Sequence, residues 1–308
     1  MPTVSETPEQ AERTRQIALF GLWIFPILWT VNLWAARVAH GVVSPNMLAL
    51  GRWGLVGLFL ALLTRHELWA KRQWIKAHFW RYVILGACGM WICGAWVYLA
   101  GQTTQALNIS LIYSSSPVLI AMGAVWFMRE TLRPTQMAGV VLCLVGVVHV
   151  IVKGQWQQLQ TVEFTAGDAW IAAASLAWAA YTLLQKHWKS EFSPSAHLAL
   201  ICLGGVLVIA PFALLEATVW GMPAWTMKAT WMVLATALFP GLGAYWMYGW
   251  TQRVLGASKV SVTLFLGPLY TAIMAAVVLH ENLGAHHFVG AALILPGVAL
   301  VTLLGSRR

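Results

Sequence analysis

Long apolar runs without charged residues dominate this sequence. Runs of about 20 residues, each long enough to cross the roughly 30 Å hydrocarbon core of a bilayer as a helix, begin near Gln16, Asn46, Tyr82, Ala106, Thr135, Ala169, Ser195, Ala229, Val260 and Gly284. Charged residues make up only 9 % of the chain, whereas about 25 % is usual in soluble domains. The sequence therefore predicts an all-α membrane protein with ten transmembrane helices.

The Lys and Arg residues in the connections between these runs alternate between two sides. With a cytoplasmic N-terminus, 15 of them lie on the cytoplasmic side and three, namely Arg37, Lys153 and Lys228, lie on the other. Cytoplasmic connections are normally the cationic ones, so we expect both termini in the cytoplasm. The net charge of +9 comes from short connections and not from a continuous basic stripe, so no nucleic-acid partner is expected.

An internal repeat divides the chain into two halves. Pro117, Glu130, Leu132, Gly139 and Gly146 recur 151 residues later as Pro268, Glu281, Leu283, Gly290 and Gly297. Trp29 and Arg37 match Trp178 and Lys186 at a shift of 149 residues, and Gly94 matches Gly243. A repeat of five spans must insert its second copy upside down. We therefore predict a tail at 1–16, repeats at 17–155 and 156–305, and a tail at 306–308.

The repeated pattern resembles the EamA-type repeat of the drug/metabolite transporter superfamily, over residues 17 to 305. The resemblance implies two inverted five-helix repeats in the bacterial inner (plasma) membrane. It also implies a secondary carrier, similar to aromatic amino-acid exporters, that moves amino acids or related small metabolites outward by alternating access. The substrate site of such carriers lies between the repeats. The resemblance assigns Glu130 and Glu281 a structural role as caps at helix ends.

Arg52 is the full charge that lies most clearly within a predicted span. A buried arginine can hold a substrate carboxylate through two hydrogen bonds, and ionisable residues within spans are functional candidates. Two other readings stay open. The side chain could reach the outer headgroups, since Arg52 is about 9 Å from the start of its helix, or it could bond backbone carbonyls in helix packing.

Polar and aromatic side chains inside the spans form the remaining candidate substrate site. They are Asn32, Trp91, Tyr98, Tyr113, Ser114, Trp178, Tyr181, Tyr245 and Tyr248. Hydroxyl and amide groups in lipid need partners and should face the bundle interior, where aromatic faces suit zwitterions with varied side chains. The alternative is that many of the 19 Trp residues lie in the interfacial belts.

Prolines within the spans are candidate hinges, because proline removes a helical hydrogen bond. Pro117, Pro268 and the pair Pro240 and Gly243 are the positions that we select, with static kinks as the alternative. Acidic residues fall in tails, loops and helix ends, and proton-driven carriers usually keep a carboxylate in the membrane. We therefore expect a facilitator or an exchanger.

Other function classes are weaker. Exporters of hydrophobic cations or drugs are the runner-up, although they generally need a membrane carboxylate. Enzyme motifs are not found, and a receptor would leave the repeat unexplained. His286 and His287 point about 100° apart on a helix and chelate poorly together. We expect no cofactor and no metal, with amino acids and membrane lipids as partners and a monomer as a possible working unit.

Overall fold

The computed structural model describes residues 8–39, 41–100, 103, 112–161, 165–219, 221, 225–279 and 283–302. Every regular element in these ranges is a helix. Helices follow from the apolar runs, because a backbone in hydrocarbon must satisfy its N–H and C=O groups within its own segment. The predicted all-α class is confirmed.

The helices of the first half begin and end close to the apolar runs. They are α1 (Pro8–Val38), α2 (Pro45–Leu63), α3 (Arg65–Ala70), α4 (Arg72–Ala77), α5 (Phe79–Gly86), α6 (Val97–Ala100), α7 (Ser116–Met128) and α8 (Pro134–Ile151). A π-helical segment, Ala87–Trp96, joins α5 to α6. A 3₁₀ turn, Trp156–Thr161, follows α8. Helix α1 begins within the predicted tail, where charged residues form a polar extension of the span.

The second half has the corresponding elements. They are α9 (Ala166–His187), α10 (Pro194–Val219), α11 (Met227–Thr236), α12 (Tyr245–Leu255), α13 (Ala257–Val262), α14 (Gly267–Leu279) and α15 (Ala285–Thr302). A π-helical segment, Ala237–Ala244, joins α11 to α12. A 3₁₀ turn, Thr263–Leu266, joins α13 to α14.

Several of these helices are suited to a membrane by length and composition. Within the described residues, six stretches are long and apolar enough to span it: Glu9–Asn32, Pro45–Leu63, Phe79–Ala100, Pro134–Ile151, Pro194–Val219 and Ala257–Met274. The stretches Ser116–Met128 and Ala285–Val301 are apolar but shorter. The chain is thus a multi-pass membrane protein, and the count of ten spans stays a prediction.

The contact between α8 and α15 is reciprocal. A Cβ on Gly139 would lie 2.7 Å from the carbonyl oxygen of Gly297, and a Cβ on Gly297 would lie 2.7 Å from that of Gly139. Cβ atoms added to Gly146 and Gly290 would each lie within 3.3 Å of the other's carbonyl oxygen. The two helices therefore run antiparallel with their backbones in contact, as small residues permit.

The centre of this contact lies between repeat-related positions. The thiol of Cys143 is 3.5 Å from the carbonyl oxygen of Ile294, a residue 151 positions later. Because 151 is also the repeat shift, each helix meets its own copy here. A pseudo-two-fold axis that is perpendicular to both helices accounts for this pattern.

The two π-helical segments occupy equivalent places in the halves. Shifted by 149 residues, the segment Ala87–Trp96 would cover 236–245, and the observed segment is Ala237–Ala244. Pro240 and Gly243, predicted as a hinge, lie in the second segment. Pro117 and Pro268 instead lie in the first turns of α7 and α14, where a proline costs no helical hydrogen bond.

A polar contact outside the spans connects α3 to the start of α10. The Glu67 carboxylate accepts hydrogen bonds from the backbone N–H and the hydroxyl of Ser193, at 2.8 and 2.6 Å, and Lys71 lies 3.5 Å away. Burial opposes ionisation of Glu67, but these hydrogen bonds and the Lys71 charge outweigh it, so the pKa of the carboxyl lies below its ordinary value.

Candidate functional site

Seven aromatic side chains pack together where the two halves meet, and we name them the aromatic cluster. Its members are Phe25, Trp29, Trp53, Trp178, Tyr181, Tyr245 and Tyr248. Ring centroids of neighbouring members lie between 4.7 and 6.0 Å apart, mostly in edge-to-face or tilted arrangements. Helices α1, α2, α9 and α12 contribute these rings, so the cluster is shared between the halves.

Arg52 lies against one side of the aromatic cluster and is only 3 % exposed. The carbon at the centre of its guanidinium group is 4.2 Å from the Trp53 ring centroid and 5.7 Å from that of Tyr245. Its Nη1 donates to the amide oxygen of Asn32 at 2.8 Å. The side chain therefore points into the bundle and not toward the headgroups, and aromatic faces stabilise its charge.

The guanidinium group of Arg52 can still donate a hydrogen bond. Its Nε is buried and has no hydrogen-bond partner in the described part of the chain, and no carboxylate of that part pairs with it. A buried cation without an anionic partner is costly. An arrangement of this kind can bind an anionic group that arrives from outside.

Asn32 and Tyr98 fix the position of the guanidinium group. The Tyr98 hydroxyl donates to the same Asn32 amide oxygen at 2.8 Å, so two donors converge on one acceptor. Asn32 lies on α1 and Tyr98 on α6. Three predicted site residues, Asn32, Arg52 and Tyr98, thus form one hydrogen-bonded group.

The first π-helical segment supplies carbonyl groups to the cluster. The Tyr245 hydroxyl donates to the Gly89 carbonyl at 2.9 Å, and the Trp53 indole donates to the Met90 carbonyl at 2.9 Å. A Cβ on Gly89 would lie 2.6 Å from the Tyr181 ring, so only glycine lets this ring reach the backbone. π-helical segments are rare and occur frequently at functional sites.

Other predicted residues lie in or near the cluster. The Tyr248 hydroxyl is 2.9 Å from that of Thr182. The Trp178 indole nitrogen is buried without a partner among the described residues, although its ring contacts four other rings of the cluster. Tyr113 and Ser114 are half-buried and lie just before α7, Tyr113 with helical backbone and Ser114 in a turn.

Trp91 lies apart from the aromatic cluster. Its ring stacks on Phe212 with 4.2 Å between centroids, and its indole N–H donates to the Asn46 side-chain oxygen at 3.1 Å. Asn46 in turn donates to the Glu216 carboxylate through its backbone N–H, at 3.0 Å, and its side-chain amide, at 2.7 Å. Glu216 is 4 % exposed.

The buried pair of Asn46 and Glu216 was not predicted from the sequence. Glu216 belongs to the last turn of α10, so its position in the sequence resembles any helix-end carboxylate. Its partner begins α2, 170 residues earlier. A buried carboxylate at the N-terminus of another helix meets free backbone N–H groups there, but this pairing depends on the tertiary fold.

Of the two glutamates predicted to cap helix ends, the structure describes Glu130. Glu130 directly follows the left-handed residue Arg129, which ends α7, and its carboxylate pairs with Lys186 and accepts from Ser258. These contacts reach two other helices. Glu281 lies outside the described residues.

A small cavity beside the aromatic cluster has room for about one water molecule. It lies between α9, α10 and α12, and its lining includes Tyr181, Tyr245, Trp250 and Arg253. Among the described residues, no group of three His, Cys, Asp or Glu side chains lies close enough to hold a metal ion.

The sequence matches the EamA-like transporter family twice, over residues 16–152 and 165–303. The chain belongs to the EamA-like transporter family. The family model thus matches the chain twice, and the repeat boundaries at 17–155 and 156–305 stay a prediction.

Relatives of similar length support the same assignment. The uncharacterized transporter YyaM of Bacillus subtilis (strain 168) is 25 % identical over 289 residues, which are 92 % of this chain and 91 % of that protein. The uncharacterized transporter YoaV of the same organism is 24 % identical over 297 residues, or 94 % and 98 % of the two chains. The protein is thus a member of a transporter family whose relatives here carry no named substrate.

A solved crystal structure supports the fold. It is similar to this chain with a TM-score of 0.73 and 20 % sequence identity, over 94 % of this chain and 99 % of the other. Identity this low supports a common fold and nothing further about activity.

Proposed function

We propose that this EamA-like protein is a secondary carrier that exports amino acids, including aromatic and other neutral ones, or related small metabolites. The observation that carries the proposal is Arg52, a buried cation with an unpartnered Nε and no carboxylate partner among the described residues. A substrate carboxylate supplies the missing anion. Charge-assisted hydrogen bonds of this kind are about twice as strong as neutral ones.

The surroundings of Arg52 support a substrate with an apolar side chain. Trp53 and Tyr245 flank the guanidinium group. The Trp178 indole N–H, which has no partner in the described part of the chain, belongs to the same cluster. Aromatic walls with few polar donors are typical of sites that accept apolar groups and orient them. For the substrate to bind, some of these rings must move apart.

The architecture supports alternating access as the mechanism. Carriers with inverted repeats hold the substrate between the repeats and open to each side in turn. The reciprocal contact of α8 and α15 about Cys143 and Ile294 is compatible with such an exchange. The proposal includes ten spans, with both termini in the cytoplasm of a bacterial inner membrane, and a monomer as the working unit.

The driving force proposed is the substrate gradient, with the protein as facilitator or exchanger. The buried carboxylate of Glu216 is already bonded twice to Asn46. It thus has a structural task at the start of α2, and no buried carboxylate among the described residues contacts Arg52. A carrier for hydrophobic cations would need such a carboxylate near its site.

The test is substrate flux into liposomes that contain only the purified protein. Radiolabelled phenylalanine, alanine, lysine and a hydrophobic cation are compared, with and without a pH gradient. We expect saturable flux of the neutral amino acids without a gradient. Arg52→Gln should raise KM by about 10- to 100-fold, the range for losing hydrogen bonds to a charged group, and Arg52→Lys should fall between, because lysine lacks the planar fork.

The matched control is Arg15→Gln, which removes an exposed cation that pairs with Glu12 on the same helix. Its flux should equal that of the parent protein. Amino-acid flux that is unchanged by Arg52→Gln would contradict the role of Arg52. Flux of the hydrophobic cation alone would mean that the substrates are hydrophobic cations and not amino acids.

A further inference from the structure

One ion pair joins the two halves of the molecule at one end. The Glu130 carboxylate, just after α7, pairs with the Lys186 ammonium group in the last turn of α9. It also accepts a hydrogen bond from the hydroxyl of Ser258 at the start of α13. Three helices from both halves therefore meet at a single carboxylate.

The other ion pairs of the described residues are local. Glu12 and Arg15 are three residues apart, and Glu67 and Lys71 are four apart. The side chains of Lys186 and Glu130 are 34 % and 23 % exposed, about as much as those of Lys71 and Glu67, but they come from positions 56 residues apart in the chain. A pair between separate helices constrains the relative position of those helices, whereas a pair within one helix does not.

Backbone geometry on both sides places this pair. Arg129 adopts a left-handed conformation with φ of 53°, and the Glu130 N–H donates back to the Ala124 carbonyl at 3.1 Å. Gly256 has φ of +90°, and a Cβ there would lie 3.9 Å from the Lys186 ammonium nitrogen. The turn at Gly256 thus brings Ser258 and Lys186 to the same carboxylate.

We propose that Glu130, Lys186 and Ser258 form a latch that holds this end of the transport passage closed and that opens in each cycle. The inference rests on the proposed function as an alternating-access carrier. In such a carrier the halves change their relative position, so a bond between them at one end cannot persist in both states. The ion pair is formed in this structure, and the state described is therefore closed at this end.

The internal repeat relates both members of this ion pair to residues of a second pair of opposite charges. Glu130 corresponds to Glu281 at the 151-residue shift, and Lys186 corresponds to Arg37 at the 149-residue shift. An acidic and a basic residue thus recur in the sequence with the roles of the halves exchanged. Glu281 and the side chain of Arg37 lie outside the described residues, and they enter only as a sequence-based arm of the test.

The experiment measures how fast a thiol behind the latch is labelled. Ser261 is fully buried and lies one turn beyond Ser258, so Ser261→Cys places a small thiol there. A polar maleimide is applied to the purified protein in detergent without substrate, and labelling above the background of the native cysteines is followed. Glu130→Gln and Lys186→Gln should each raise the labelling rate by roughly 5- to 30-fold, the factor expected for a change of one or two kcal/mol in a two-state equilibrium.

A rescue variant and a counterpart separate a latch from a merely structural contact. The charge swap, Glu130→Lys with Lys186→Glu, should restore slow labelling, because it restores the pair. Glu281→Gln should lower the labelling rate further, since it favours the state closed at the Glu130 end. Glu12→Gln removes an exposed carboxylate of a local pair and should leave the rate unchanged.

The proposal fails if Glu130→Gln labels within two-fold of the parent, or if the charge swap labels as fast as the single variants. If Glu130→Gln does not fold, Ser258→Ala removes one hydrogen bond only and must raise the rate in the same direction. Because no substrate is present, the result is independent of the flux assay. A protein that transports no amino acid can still show the latch, and the reverse also holds.

Discussion

The close contact of α8 and α15 makes a quantitative prediction about Gly139. A Cβ at this position would lie 2.7 Å from the Gly297 carbonyl oxygen and 2.8 Å from a methyl group of Val301. The oxygen belongs to the backbone and cannot rotate away. The helices must therefore separate by about 0.7 Å to reach an ordinary contact of 3.4 Å. A gap of this size removes a quarter to a half of the dispersion energy of each atom contact between the two helices.

We expect Gly139→Ala to destabilise the protein by about 1–2 kcal/mol. Overpacking costs roughly 1–3 kcal/mol, and the better helix propensity of alanine offsets up to about 1 kcal/mol. Gly54→Ala is the matched control, because a Cβ there would meet nothing within 4 Å. This variant should be neutral or more stable by up to about 1 kcal/mol.

The measurement is the free energy of unfolding in detergent micelles by denaturant titration, for both variants and the parent. Gly297→Ala should cost a similar amount to Gly139→Ala, and the double variant should cost less than the sum, since one separation of the helices relieves both contacts. Equal stability of Gly139→Ala and Gly54→Ala would refute the reasoning. Strict additivity in the double variant would refute the shared contact.

Three further variants test other contacts by unfolding measurements. Glu216→Gln replaces an acceptor of two hydrogen bonds from Asn46 with a group that also donates, so it should cost about 1–3 kcal/mol; a neutral result would contradict the buried pair. Tyr245→Phe removes the hydroxyl bonded to the Gly89 carbonyl and should cost about 1 kcal/mol, whereas no loss would mean that water replaces it. Glu67 has a lowered pKa in the folded protein, so its stabilisation is full above the ordinary carboxyl pKa and is lost as pH falls through the folded-state value. Glu67→Gln should therefore flatten the acid side of the stability profile, and an unchanged profile would exclude this group.

The class of the molecule was accessible from the sequence because lipid imposes a simple rule. Apolar runs of about 20 residues can satisfy their backbone in hydrocarbon only as helices or closed barrels. The repeat also placed glycines at matching positions, with Gly139 matching Gly290 and Gly146 matching Gly297. The repeat thus predicted which residues correspond, though not which of them touch.

The candidate site was predictable only in part. Asn32, Arg52 and Tyr98 stood out as polar residues within apolar runs, and the structure brings them together. The direction of the Arg52 side chain was open, because a long arginine can reach either the headgroups or the interior. The inward orientation of the Arg52 side chain depends on Asn32, which accepts its hydrogen bond and lies on another helix.

Contacts between distant positions could not be predicted from the sequence, because they depend on how the helices pack. The pairing of Glu216 with Asn46 spans 170 residues, and the meeting of Lys186 with Glu130 depends on how α7 and α9 cross. The first π-helical segment also left no recognisable signal, since Ala87–Trp96 contains no proline. Side-chain periodicity reports which face of a helix is apolar, but not how wide its turns are.

The width of those turns sets the register of the residues that follow them. A π-helical turn bonds residues five apart, so it holds about one residue more than an α-helical turn. Each residue of an α-helix advances the chain by about 100° around the axis. Deleting one residue between Gly89 and Ala95 would rotate the stretch that carries Tyr98 by about that angle and turn its hydroxyl away from Asn32. The wider turns of Ala87–Trp96 therefore set the rotation of the following residues about the helix axis. One continuous span can thus present different faces to the bundle before and after its midpoint.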